Sequence, residues 1–134
     1  MSEEARWPLT GMRVVDLSTQ IAGPYCTKML VDAGAEVIKI EAPGGDPLRR
    51  WTASGAAIPD GEDGALFQHL NASKRSVVAD LGTTAGNELL LDLATTVDLV
   101  VESFPPGWLA ELGISFNELQ ARNAALSLLS ISPW

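Results

Sequence analysis

"AGPYCTKMLVDAGAEVIKIEAPGGDP", residues 22–47, decides the fold. Its first part, 22–34, carries apolar side chains at Tyr25, Met29, Leu30 and Ala33, close to helical spacing, and Gly34 supplies a stop. Pro24 suits the first helical turn, where a missing N–H costs nothing. "EVIKIE" (36–41) then reads as a strand, and "APGGDP" (42–47) breaks both patterns. A helix that turns directly into a strand is half of a crossover unit, so the flanking segments should supply its partners.

They do. Upstream, "MRVVDLS" (12–18) is a short β-branched run ending in Asp16 and Ser18, the profile of a buried strand. Downstream, "SVVADL" (76–81), "DLVVESF" (98–104) and "ALSLLSIS" (125–132) read as three further strands. "TTAGNELLLDLATTV" (83–97) has a capping Thr and leucines on one face, so it is a helix. "PPGWLAELG" (105–113) reads as a short helix opened by prolines and closed by Gly113. "SFNELQARN" (115–123) pairs Ser115 with Glu118 in a capping-box pattern. Only 43–70 is weakly patterned, with "ALFQHL" suggesting a helical turn. Strands alternating with helices at these lengths imply right-handed crossovers. The expected fold is α/β: one Rossmann-like, doubly wound domain with a mostly parallel sheet of about five strands.

Composition narrows the function classes. A net charge of -8 argues against general nucleic-acid binding, which depends on neutralising phosphates. No apolar run approaches the ~20 residues that span a bilayer, so no membrane association is expected. The opening six residues, MSEEAR, are acidic and polar, unlike a secretory signal. With Cys26 as the single cysteine an internal disulfide is impossible, and a reducing cytoplasm is the simplest compartment. Cys26 follows a helix start, but its apolar neighbours point to a buried, inert thiol. His69 is the only histidine and reads as a surface residue.

Chemistry-bearing motifs are scarce. The first turn, "STQIAGP", has one glycine where a dinucleotide fingerprint has three, so NAD and FAD are not expected. No Walker loop, zinc spacing or nucleophile elbow occurs, and no metal is expected. Arg49-Arg50 and Lys74-Arg75 form cationic doublets that read equally as solvated surface pairs or as a local anion site. In open α/β sheets the ligand crevice lies beyond the carboxyl ends of the strands. That rule nominates 18–24, 42–47, 81–84, 103–107 and whatever follows 132.

Taken in order, "PLTGMRVVDLS", "AGPYCTKMLVDAGAEVIKIEAPGGDPLRRW", "LNASKRSVVADL", "VDLVVESFPPGWLAELGI" and "ARNAALSLLSIS" resemble the class III CoA-transferases, the family of formyl-CoA and carnitine CoA-transferases. The resemblance covers nearly the whole chain from Pro8. It implies the N-terminal, Rossmann-like part of a larger domain. It also implies a coenzyme A thioester and a carboxylic acid as substrates, a homodimer of interlocked subunits, and covalent chemistry through an acyl-aspartyl anhydride. Carried over by position, the CoA site falls on Ile21, Ala22, Ala42, Ala79, Asp80, Leu81, Gly82, Ser103, Phe104, Pro105 and Glu111. The "AGP" turn would lie beside the pantetheine arm and the end of "EVIKIEAP" beside the adenosine, with Phe104 against the adenine.

Departures from the family pattern are specific. Positions that carry cations in formyl-CoA transferase-like members are here Ala42, Gly82 and Glu111, and Ile21 replaces a polar amide. Glu111 would repel a phosphate unless Arg49 or Arg50 compensates. The resemblance implies a catalytic aspartate beyond Trp134, so none of Asp16, Asp46 and Asp80 is expected to be a nucleophile and the chain alone is expected to be inactive. An acyl-CoA racemase of the same family and a non-catalytic, degenerate half of a tandem transferase are the alternatives. The surface meant for a continuing chain is expected to expose an apolar patch that includes Trp108 and Trp134.

Overall fold

The computed structural model describes residues 6–132. It is an α/β fold with five parallel strands: β1 (Arg13–Asp16), β2 (Glu36–Glu41), β3 (Arg75–Val78), β4 (Leu99–Glu102) and β5 (Ser127–Ser130). Across the sheet they run β3-β2-β1-β4-β5, so the order reverses between β1 and β4. That reversal is the switch point of a doubly wound sheet. The connecting helices are α1 (Ala22–Asp32), α2 (Ala65–Leu70), α3 (Thr84–Ala94), α4 (Trp108–Glu111) and α5 (Phe116–Arg122). A 3₁₀ turn, Pro47–Arg50, interrupts the long loop after β2. Among the described residues no helix is long and apolar enough to cross a membrane.

Each face of the sheet has its own core. Val15, Ile40 and Val100 pack with Leu90 and Ala94 of α3, Leu109 of α4 and Leu119 of α5. On the opposite face Val14, Val37 and Val101 pack with the half-buried Leu30 and Val31 of α1. A satellite cluster of Leu48, Phe67 and Leu70 closes the loop between β2 and β3.

Local signals place the elements. The Thr83 hydroxyl accepts the Gly86 N–H at the start of α3, and the Ser115 hydroxyl accepts the Glu118 N–H at the start of α5. Each satisfies one N–H that a helix start leaves free. The short helix behaves differently from its sequence pattern. Pro105 and Pro106 lie in a turn, and α4 begins only after Gly107, whose φ of 86° is open to glycine at no steric cost. Thus the prolines precede the helix rather than forming its first turn.

Helix α1 also differs from expectation. Tyr25 and Met29, which define its apolar spacing, point to solvent together with Ile21. Its buried residues are Gly23, Pro24 and Thr27, small side chains that allow a close approach to the sheet. Cys26 is half-buried rather than enclosed, and His69 is exposed. Trp108 is half-buried against Phe104, their ring centroids 4.3 Å apart. The expectations for Trp134 and for residues 1–5 lie outside the described residues.

Candidate functional site

The site is built on the carboxyl ends of the strands, where the chain leaves β1, β2, β3 and β4 for the helices. Among the described residues, an apolar cleft and a wider one open there. The apolar one of about 220 Å³ lies over the ends of β2 and β3 and is walled by Leu17, Ile40, Leu81, Phe104 and Trp108. Pro47 and the Ala42 end of β2 form its rim. The wider one of about 590 Å³ lies at the switch point and is lined by Thr19, Gln20, Ala22, Gly23 and Ser103, with Ile131 and Ser132. Thr19 lines both, so the clefts adjoin along the turn between β1 and α1.

That turn is held from several sides. Asp16, fully buried at the end of β1, accepts the Ser18 N–H and hydroxyl on one oxygen. Its other oxygen accepts the Thr27 hydroxyl and faces the Lys74 ammonium at 3.2 Å. Asp16 therefore fixes a turn and has no access to a cleft. The Thr19 N–H donates to the Ser103 hydroxyl at 2.9 Å, tying the turn to the end of β4. Gln20 has a φ of 66°, uncommon for a residue with a side chain. Helix α1 starts at Ala22 with no side-chain cap from Ile21, so the N–H groups of its first turn beside the cleft are those of Ala22 and Gly23, Pro24 having none.

Two cationic side chains run beneath the same edge. Lys39, fully buried on β2, donates to the Ser18 carbonyl at 2.8 Å. Its ammonium lies 3.0 Å from an Asp46 oxygen that has no aligned hydrogen bond, so that contact is a charge pair. Lys74 donates to the Pro24 carbonyl and the Asn71 amide oxygen, each at 2.9 Å. Burial pushes the Lys74 ammonium below its ordinary pKa, and Asp16 opposes that shift.

Arg49 is committed too. Its fork donates to both oxygens of Glu41 at 2.7 Å and to Asp63 at 2.7 Å, and its plane lies 4.1 Å over the Phe67 ring. This Arg49 hydrogen bond is the main cause that lowers the Glu41 pKa from 4.5 to about 2, against the opposing effect of burial. The Ser76 hydroxyl and the Asp46 N–H also donate to Glu41. The exposed Arg50 donates to the carbonyls of Ile58 and Glu62. Of the two doublets, Arg49 and Lys74 are therefore internal ties, and neither is an anion site. Arg49 is not available to offset Glu111.

The residues expected from sequence divide by location. Ala42, Ala79, Asp80, Leu81 and Phe104 line the apolar cleft; Ala22 and Ser103 line the switch-point cleft. Gly82 opens instead onto a polar depression at the start of α3. Pro105 lines a depression between α4 and β5. Ile21 and Glu111 are exposed and line neither cleft. Thr19 falls within the nominated 18–24 turn, whereas Leu17, Ile40 and Trp108 were not named as site residues. The signal for Trp108 was its position four residues after Phe104, the spacing at which two aromatic side chains meet across a turn.

Comparison with known proteins then decides the family. The model of CoA-transferase family III matches residues 9–134. The chain belongs to CoA-transferase family III. A succinate–glutarate CoA-transferase of Agrobacterium fabrum is 41% identical over 128 residues, covering 93% of this chain and 32% of that protein. A succinyl-CoA:mesaconate CoA-transferase of Haloarcula hispanica is 40% identical over 126 residues, covering 92% of this chain and 31% of that protein. Among solved structures, a CAIB/BAIF family protein from Brucella suis superposes with a TM-score of 0.88 at 37% identity, covering 96% of this chain and 34% of that one. The orthorhombic form of Rv3272 from Mycobacterium tuberculosis gives 0.86 at 40% identity, covering 96% and 35%. The chain thus spans about a third of the length of the relatives it matches.

Proposed function

We propose that this chain is the N-terminal, Rossmann-like part of an acyl-CoA:carboxylate CoA-transferase and carries the binding crevice for the CoA portion of the thioester. The observation that carries the reading is the pair of clefts sharing Thr19. CoA is an elongated ligand, with a flat purine at one end and a flexible, amide-bearing arm at the other. An apolar slot continuous with a wider cleft of hydroxyl and backbone groups suits both ends.

In this reading the adenine enters the slot between Ile40, Leu81 and Phe104, and the arm runs along the Thr19–Gly23 turn. The uncapped N–H groups of α1 and the hydroxyls of Thr19 and Ser103 offer hydrogen bonds to neutral amide and thioester oxygens there. The chain's role is to bind and orient the thioester. The attacking carboxylate comes from an aspartate later in the complete protein, which acts as a homodimer in the cytoplasm. Succinyl-CoA transferases among the relatives favour a small dicarboxylic acyl group. No cation stands at Ala42, Gly82 or Glu111, so the phosphates lie toward solvent.

Those same three positions favour one competing reading, a non-catalytic scaffold that has lost CoA affinity. Calorimetric titration of CoA into this chain and into Phe104→Ala separates them. Base–aromatic stacking is worth about 1–3 kcal/mol. The substitution should therefore weaken a one-to-one interaction by about 5- to 150-fold. A folded chain that shows no CoA binding at millimolar ligand would establish the scaffold instead.

A further inference from the structure

Two buried ammonium groups converge on the backbone of one short turn, and the CoA chemistry proposed above gives neither of them a role. Lys39 comes from the middle of the sheet and donates to the carbonyl of Ser18, where the turn leaves β1. Lys74 comes from the loop before β3 and donates to the carbonyl of Pro24, in the first turn of α1. Their side chains are 2% and 1% exposed, which rules out a solvated role. Between these two carbonyls lie Thr19, which borders both clefts, and Gln20 in its left-handed conformation. Such a conformation costs free energy and persists only where its surroundings enforce it.

We propose that Lys39 and Lys74 are positioning residues that grip the 18–24 turn at its two ends and so set the direction in which its backbone N–H groups meet the ligand. The proposal rests on the CoA reading for its ligand, but the grip itself is a property of the turn. Each ammonium has a compensating carboxylate, Asp46 for Lys39 and Asp16 for Lys74, so the charges are held in place as well as neutralised. The remaining contacts of the Lys74 ammonium are neutral: the Pro24 carbonyl and the Asn71 amide oxygen. A lysine suits this task because one ammonium can serve a carbonyl and a carboxylate at once. Gly23 completes the device: a Cβ there would fall on Ser18, so only glycine lets the two ends of the turn close on each other.

The test removes the donor without leaving a lone buried charge, which would unfold the chain for an unrelated reason. Asp16→Asn/Lys74→Met is compared by amide hydrogen exchange with the unsubstituted chain and with Asp16→Asn/Lys74→Gln, which keeps a neutral donor at position 74 and the same change at Asp16. Exchange at Thr19, whose N–H is otherwise held by Ser103, should accelerate about tenfold or more, while that at Val14, Val15 and Val100 stays unchanged. The N–H to Hα coupling of Gln20 should move away from its left-handed value, and CoA affinity should fall by a similar factor. Lys74→Arg, which keeps the charge, should retain more of the affinity. If the first pair does not fold, Lys39→Met/Asp46→Asn reads the other end of the turn.

Unchanged exchange at Thr19 and an unchanged Gln20 coupling would overturn the proposal. A loosened turn with undiminished CoA affinity would overturn its functional part. Absence of CoA binding by the unsubstituted chain would instead remove the CoA reading, with the exchange result still deciding the grip.

Discussion

At the scale of single residues, the site edge depends on ions that the sequence pattern conceals. In "EVIKIE" the alternation of Val37, Lys39 and Glu41 reads as an ordinary strand, yet both charged residues are buried. Partner chemistry, which has no local sequence signature, makes this tolerable: Glu41 receives Arg49, Ser76 and the Asp46 N–H. Because the folded pKa of Glu41 is depressed, the stability it contributes is present above its ordinary value of 4.5 and is lost as pH falls toward about 2. The depression corresponds to about 3 kcal/mol. Denaturant melts from pH 7 to pH 2.5 should therefore show acid destabilisation that is reduced in Glu41→Gln, and Glu41→Gln should be the less stable protein at pH 7. Parallel pH profiles for the two proteins would contradict this assignment.

At the scale of elements, α1 against β1 is the tightest joint at the site. Gly23 and Thr27 face the sheet where larger side chains would hold the helix away. Gly23→Ala should overpack against Ser18 and destabilise the chain by about 1–3 kcal/mol. Ser18→Gly added to it should recover part of the loss, and the denaturant midpoint reads both. No recovery would mean that the glycine serves something other than this close approach. The elements themselves were largely legible: β2 matches its expected span of 36–41, and the caps at Thr83 and Ser115 announce α3 and α5. Less was legible for α1, because Tyr25 and Met29 supply the helical period but not the buried face. The prolines before α4 misled for a related reason: a proline marks the neighbourhood of a helix start, and Gly107 set the start itself.

At the scale of the whole molecule, parallel strands with a reversal between β1 and β4 place the loops that matter at one edge. The strand-end rule nominated that edge from sequence, and seven of the expected positions line the two clefts there. Gly82, Pro105, Ile21 and Glu111 lie outside those two clefts, since shared membership of an edge does not fix which way a turn faces. The cationic doublets were the least legible feature. Their fate depended on carboxylates up to 58 residues away, as in Lys74 and Asp16. Outside the site, Ile21, Tyr25 and Met29 on α1 and Val77 and Val78 on β3 are exposed apolar positions.

Whether the clefts at this edge form a CoA site is read by a map of backbone amide shifts as CoA is titrated into the chain. Saturable shifts are expected in residues 19–23, 42–47, 79–81 and 103–104, with α5 and the amino ends of the strands unmoved. Shifts gathered elsewhere on a folded chain, or none at millimolar CoA, would contradict a CoA site at this edge.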